Sequence, residues 1–242
     1  MSNRNEEVRG FLNVVIALLK DALSFCLDAL RNIHKEGHIF VFIGVVVTVV
    51  GYLRASFLGN IFLLITIWII YFFRDPHRIV PQQKGVLVAP ADGTITAIVE
   101  NESLPEELKF TTEEKFTRVS IFLNVFNVHV NRIPVKADVI EARYTPGKFL
   151  NANLDKSSKE NERNILLLKT EDGEHLAVTQ IAGLIARRIV SYAKTNDAFE
   201  TGERYGIIRF GSRVDVFIPA KYEVSVLMGQ TMIGGETIIA RK

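Results

Sequence analysis

Ser212 follows Gly211 in Arg209-Phe210-Gly211-Ser212-Arg213-Val214-Asp215-Val216-Phe217-Ile218-Pro219, where a short polar stretch gives way to an apolar, strand-like run. A serine hydroxyl is a weak nucleophile that turns reactive when a base takes its proton. His129 is the base this sequence offers, because imidazole accepts a proton near neutral pH. Val128 and Val130 on either side of it predict a strand, with the histidine side chain opposite theirs. Each residue also has a plain structural reading. A Gly-Ser step forms turns, since glycine accepts positive φ and serine bonds its own backbone. A histidine between valines suits a core or a surface, and Asp92 in Pro90-Ala91-Asp92-Gly93 needs no task beyond bonding its own turn.

Neighbouring segments favour the chemical reading. Phe72-Phe73-Arg74-Asp75-Pro76, Pro90-Ala91-Asp92-Gly93 and Asn127-Val128-His129-Val130-Asn131-Arg132-Ile133-Pro134 precede the Gly-Ser site in order, with Asn161-Glu162-Arg163-Asn164 as a further match. Together, residues 72 to 219 resemble the phosphatidylserine decarboxylases in their short bacterial and archaeal form, whose self-cleavage site reads Phe-Gly-Ser-x-Val-x-Val/Leu-Phe.

The resemblance implies a carboxy-lyase that makes its own cofactor. The Ser212 hydroxyl attacks the Gly211 carbonyl and converts the peptide bond to an ester. β-Elimination then leaves a pyruvoyl group at the head of fragment 212–242, with 1–211 as the larger chain. A decarboxylase needs an electron sink that no ordinary side chain supplies. The chain shows no Gly-rich dinucleotide loop and no evident pyridoxal phosphate site, whereas a pyruvoyl ketone could condense with the substrate amine as a Schiff base. Gly211 has no side chain to obstruct attack, and threonine at position 212 would not give the same product. His129 would serve self-cleavage, protonation after decarboxylation, or both. Asp92 would orient it and fix its tautomer, or serve as a base itself. Longer members of the family carry a second histidine where this chain has Arg132. A phospholipid substrate calls for guanidinium groups, and Arg132, Arg209 and Arg213 lie nearest the motifs, although solvated arginines fit there equally.

The implied partners are phosphatidylserine, a membrane and the two fragments with each other, and a homo-oligomer stays open. Archaetidylserine would suit the same chemistry. Two rivals remain: a noncatalytic membrane-tethered lipid-binding β module, and a β-rich hydrolase using Ser212 and His129.

The elements that must position these residues can be read from the whole chain. It has 242 residues, 48% of them hydrophobic, and a formal charge of +2 with no Lys/Arg-rich run, which argues against nucleic acid. Cys26 is the single cysteine, so an intrachain disulfide and a cysteine-rich zinc site are excluded. No metal site is expected, since His34 and His38 lack a third ligand and His129 and His175 lack partners at diagnostic spacing.

Residues 11–33 have the spacing of an amphipathic helix, suited to a membrane surface or to a partner helix. The start does not read as a signal peptide. From Ile39 to Phe73 only Arg54 is charged. The apolar pieces on either side each fall short of the roughly 20 residues that span a bilayer core. A hairpin turning near Arg54-Ala55-Ser56 is expected, against one long helix kinked about Gly51 and Gly59 or a soluble core. Basic residues flanking both ends, Arg31, Lys35 and His38 before and Arg74, His77 and Arg78 after, predict the cytoplasmic side of the cell membrane.

Pro76 and Pro81 then interrupt helix, dividing the chain into 1–73 and 74–242. Beyond them, β-branched runs predict strands at 85–88, 94–99, 119–125, 135–144, 165–169, 176–181, 213–218 and 222–228. Residues 151–164 read as an exposed loop, and 181–195 is ambiguous. The expected fold is mainly β (α+β): a β-rich catalytic domain after an N-terminal amphipathic helix and a hydrophobic membrane-associated hairpin.

Overall fold

A stretch as apolar as Ile39 to Phe73 can satisfy its backbone without water only as helix, and a single residue reverses its direction. Helix α1, His38–Arg54, and helix α2, Ser56–Phe72, are joined by Ala55 in an extended conformation (φ −164, ψ 137). The chain therefore forms the hairpin and not the kinked helix. Small residues let the helices close on each other. A Cβ on Gly59 would meet the Tyr52 ring, one on Gly51 would stand 3.2 Å from Gly59 Cα, and the Thr48 and Thr66 hydroxyls lie 3.0 Å apart. Phe42, Leu53, Phe57 and Leu64 remain exposed. With the preceding helical turn, Lys35–Arg54 makes 20 residues, long and apolar enough to cross a membrane, while Ser56–Phe72 is shorter. The first segment is thus longer than the apolar run alone predicted, because the helix starts ahead of it.

The computed structural model describes residues 32–148, 160–183, 188–209 and 211–242, together with Lys20. Most of the amphipathic helix expected over 11–33, with Cys26, and most of the loop expected over 151–164 lie outside these residues. The chain divides into two compact units, Met1–Pro76 and His77–Lys242.

The second unit is antiparallel β-structure, as its β-branched runs predict. Its strands are β1 (Val86–Val88), β2 (Gly93–Glu102), β3 (Phe116–Leu123), β4 (Val130–Arg132), β5 (Ala137–Thr145), β6 (Arg163–Thr170) and β7 (His175–Ala182). There follow β8 (Arg188–Ser191), β9 (Ala198–Phe199), β10 (Arg204–Arg209), β11 (Ser212–Pro219), β12 (Glu223–Val224), β13 (Thr231–Met232) and β14 (Ile238–Arg241). Eight form one sheet in the order β13-β2-β3-β11-β7-β6-β5-β9, and the others form two three-stranded sheets, β4-β10-β8 and β1-β14-β12.

The large sheet is covered on both faces. Val119, Ile121, Leu166, Val178, Val214 and Val216 build the main core on one side, and Phe116, Ile165, Leu167, Ala177 and Phe217 pack with Leu108 on the other. Where expectation and structure differ, local residues give the reason. Only Glu223–Val224 of the run 222–228 pairs, and the ambiguous stretch 181–195 contains the end of β7 and all of β8. β10 escapes a propensity reading because Gly206 interrupts it. That glycine is required, since a Cβ there would fall 2.3 Å from the Val190 carbonyl oxygen.

Candidate active site

Strands β10 and β11 belong to different sheets and meet at Gly211, so the chain must turn sharply there. Gly211 has φ +66, a left-handed conformation that glycine adopts without strain, and a Cβ at this position would meet nothing within 4 Å. Backbone angle, and not lack of room, is what demands glycine. Ser212 then opens β11 between Leu123 of β3 and Ala182 of β7. Its side chain is fully buried, and its hydroxyl has no hydrogen-bond partner among the described residues. A buried hydroxyl left unpaired costs about 1–3 kcal/mol, so a group kept in that state suggests use.

His129 is also fully buried, but it precedes β4 and does not lie within a strand, contrary to its valine flanks. The turn before it is tied by side chains: Asn127 Oδ1 accepts from Asn124 N–H at 2.9 Å and Asn124 Oδ1 from Phe126 N–H at 2.8 Å. That turn carries the Asn127 carbonyl to within 2.9 Å of His129 Nδ1. A carbonyl oxygen only accepts, so Nδ1 carries the proton and Nε2 keeps its lone pair. Nε2 faces the Gly211 N–H at 3.4 Å, and Ile208 N–H donates to the His129 carbonyl at 3.2 Å, holding the histidine against β10. The geometry presents a base with its acceptor nitrogen beside the Gly211–Ser212 step.

Asp92 was expected to fix that tautomer, yet its carboxylate is directed elsewhere. Arg78 Nη2 donates to both of its oxygens at 2.9 and 2.8 Å, and Gly234 N–H donates to Oδ1 at 2.8 Å. A charged guanidinium nitrogen shared between both carboxylate oxygens outcompetes a neutral imidazole for them, and the Asn127 carbonyl takes over the orienting task. Because the pair is largely buried, Arg78→Ala and Asp92→Ala should each lower unfolding free energy by about 3 kcal/mol. In a double-mutant cycle from urea titrations, the double variant should lose little more than either single one, and simple additivity would contradict the pairing.

The three arginines part ways. Arg213 neighbours Ser212 on β11, so strand alternation turns it to the opposite face, where it is buried and paired through Nη2 with Asp215 Oδ2 at 2.9 Å. Its Nε stands 2.9 Å from Oδ1 as an ion pair without hydrogen-bond alignment. Arg118 approaches Asp215 at 3.8 Å and donates to Glu102 at 3.0 Å, beside a cavity of about 800 Å³ also lined by Arg163, Thr179 and Phe217. That cavity lies across the sheet from the Ser212 hydroxyl, which removes Arg213 as a binder at the serine. Arg132 is buried and donates to the Gly202 carbonyl at 3.0 Å, which gives it a structural engagement instead of an open binding face. Arg209 is half-buried at the end of β10, in register with Arg188 and two residues ahead of Gly211.

Sequence reading passed over Asn131, Gln180 and Asn164, whose side-chain amides are bonded in a buried row on the serine's face of the sheet. Tyr205 was passed over too: its fully buried phenol, without a partner among the described residues, is pushed far above its ordinary pKa by burial.

Comparison with known proteins identifies the family. A family model described as phosphatidylserine decarboxylase matches residues 65–240. The phosphatidylserine decarboxylase proenzyme of Ruegeria pomeroyi is 49% identical over 211 residues, covering 87% of this chain and 95% of that protein. Those of Rickettsia akari and Rickettsia prowazekii are 50% and 51% identical over 216 residues, covering 88% of this chain and 91% of each. With a family model over residues 65–240 and identity of this extent, the chain belongs to the phosphatidylserine decarboxylase family.

Proposed function

We propose that this protein decarboxylates phosphatidylserine to phosphatidylethanolamine, using a pyruvoyl group that it makes from Ser212. The observation that carries this reading is the buried Ser212 hydroxyl, without a partner among the described residues, next to a left-handed Gly211, with His129 Nε2 at the Gly211 N–H. These residues fit a group generated at position 212, since the Ser212 hydroxyl directly follows the Gly211 carbonyl and a base lies at the N–H of that same glycine. His129 takes the hydroxyl proton, Ser212 Oγ bonds to the Gly211 carbonyl carbon, and the Gly211–Ser212 C–N bond breaks to leave an ester. Loss of the Ser212 α-proton then expels Gly211 as a carboxylate, and one water converts the resulting enamine end to a ketone and ammonia. Formed in this way, the pyruvoyl carbonyl supplies an electron sink for the pair released as carbon dioxide departs. Freed from Gly211, His129 Nε2 is placed to hold the proton that replaces the carboxylate.

The apolar hairpin supports action on a membrane lipid, and the basic residues at both of its ends support the cytoplasmic side of the cell membrane. Arg209 is the candidate for the substrate phosphate, being on the strand that leads to the site. Asp92 acts indirectly, by holding Arg78 and the Gly234 turn.

Intact-mass measurement of the purified protein tests the chemistry. Expected are fragments 1–211 and 212–242, the smaller lighter by one ammonia than a serine-headed peptide, together with carbon dioxide release from phosphatidylserine vesicles. An active but undivided chain would refute the mechanism. An undivided, inactive chain that binds anionic vesicles would support the lipid-binding module, and labelling by a serine-directed phosphonate would support the hydrolase.

A further inference from the structure

Ser212 and Val214 point to the same face of β11, and Val214 is in register with Gln180, which is in register with Asn164. Gln180 therefore stands one rung along from the serine. Above it lies β4, with Asn131 two residues after His129 and opposite Gly206, a residue whose Cβ would be 3.1 Å from Gln180 Nε2.

The three amides form a row with a direction. Asn164 Nδ2 donates to Gln180 Oε1 at 3.1 Å, and Gln180 Nε2 donates to Asn131 Oδ1 at 2.8 Å. The Gln180 and Asn131 carbonyls are each taken by the amide before them, so the row ends in the Asn131 donor. Asn131 is fully buried, and its Nδ2 has no partner among the described residues. An N–H donor over the Gln180 rung and a serine hydroxyl on the next rung are thus both buried, and neither has a hydrogen-bond partner among the described residues. No oxygen among the described residues answers this donor, which leaves it open to one from a ligand.

We propose that Asn131 Nδ2 receives an oxygen of the substrate carboxylate and aims that group for departure. This rests on the decarboxylase reading. The carboxylate is the substrate group that must lie close to position 212, and it accepts without bringing a hydrogen of its own. A neutral amide also suits the reaction better than arginine. The carboxylate loses its charge as the C–C bond breaks, its electron pair staying on the substrate carbon and carbon dioxide leaving neutral. A guanidinium would hold the charged starting state more tightly than the transition state, whereas an amide orients with a weaker grip. Gln180 and Asn164 are positioning residues, since they fix which end of the Asn131 amide faces the site.

The test compares three variants with the wild type. Asn131→Ala removes the donor, and Asn131→Asp keeps the acceptor for Gln180 but opposes the substrate charge. Gln180→Glu offers Asn131 an acceptor and so turns its amide round. Fragment formation is followed on denaturing gels. Lysophosphatidylserine and lysophosphatidylethanolamine, which differ in the carboxylate, are trapped on the protein with cyanoborohydride and counted by mass.

Each variant should still divide, and the wild type should trap the carboxylate-bearing lipid in preference. Asn131→Ala and Gln180→Glu should lose that preference about tenfold, the worth of one hydrogen bond to a charged group, and Asn131→Asp should lose more. A preference left intact in divided Asn131→Ala and Gln180→Glu protein overturns the proposal. So does a Gln180→Glu chain that folds, by its thermal transition, yet stays whole, because the donor would then serve self-cleavage. A wild type that neither divides nor traps amine fails at the decarboxylase reading instead.

Discussion

Ser212→Ala is expected to yield a chain that never divides and releases no carbon dioxide from phosphatidylserine above the uncatalysed rate. Without Oγ there is nothing to attack the Gly211 carbonyl, so neither the ester nor the ketone can arise, and no described residue offers a substitute sink. The loss should be complete, unlike the partial losses that follow removal of a base. Stability should move the other way. The hydroxyl is fully buried and unpaired, and its removal relieves about 1–2 kcal/mol of desolvation cost while opening a space of only one atom. Urea unfolding of Ser212→Ala and of the serine chain, both in a His129→Ala background and measured on fresh protein that intact mass shows to be still undivided, isolates this gain. Activity lost together with stability would mean that the hydroxyl is a structural partner and not the reactive group. Threonine separates the roles again, because it keeps an oxygen but leads to a ketone one carbon longer.

For His129→Ala, fragment 212–242 should appear about 10²–10⁴-fold more slowly, the usual contribution of a positioned general base. The comparison requires a time course from fresh synthesis, read by intact mass. His129→Gln should be equally slow, since an amide can accept the Gly211 N–H but cannot carry a proton between atoms. Cleavage of either variant at the wild-type rate would remove His129 from the chemistry. Replacements at Asn127 are expected to do far less, because the orienting group is a backbone carbonyl that any residue supplies.

The family was legible in the sequence, because the Asp92, His129 and Gly211-Ser212 motifs occur in order. The hairpin was legible too: a single charge, Arg54, in a long apolar stretch leaves few ways to fold. What stayed hidden depended on groups without a one-letter signature or on register. The tautomer of His129 is set by a main-chain oxygen, and Asp92 is held by Arg78 and by the distant Gly234 N–H. Asn131, Gln180 and Asn164 come from three strands and form a row only once pairing is known. Arg213 was within reach of sequence reasoning, since a residue adjacent to Ser212 on a strand must face the other way.

The position of β11 between β3 and β7 has a consequence beyond the site. The proposed cut frees the head of an interior strand, while β13 pairs with β2 and β14 with β1, so the short piece stays woven into the long one. Once the two are pulled apart by denaturant, each must find the other by collision. Recovery of the divided protein should then fall on dilution, whereas an uncut chain returns at the same yield at any concentration. Maturation of this kind turns a fold that one molecule can reach alone into one that needs an encounter.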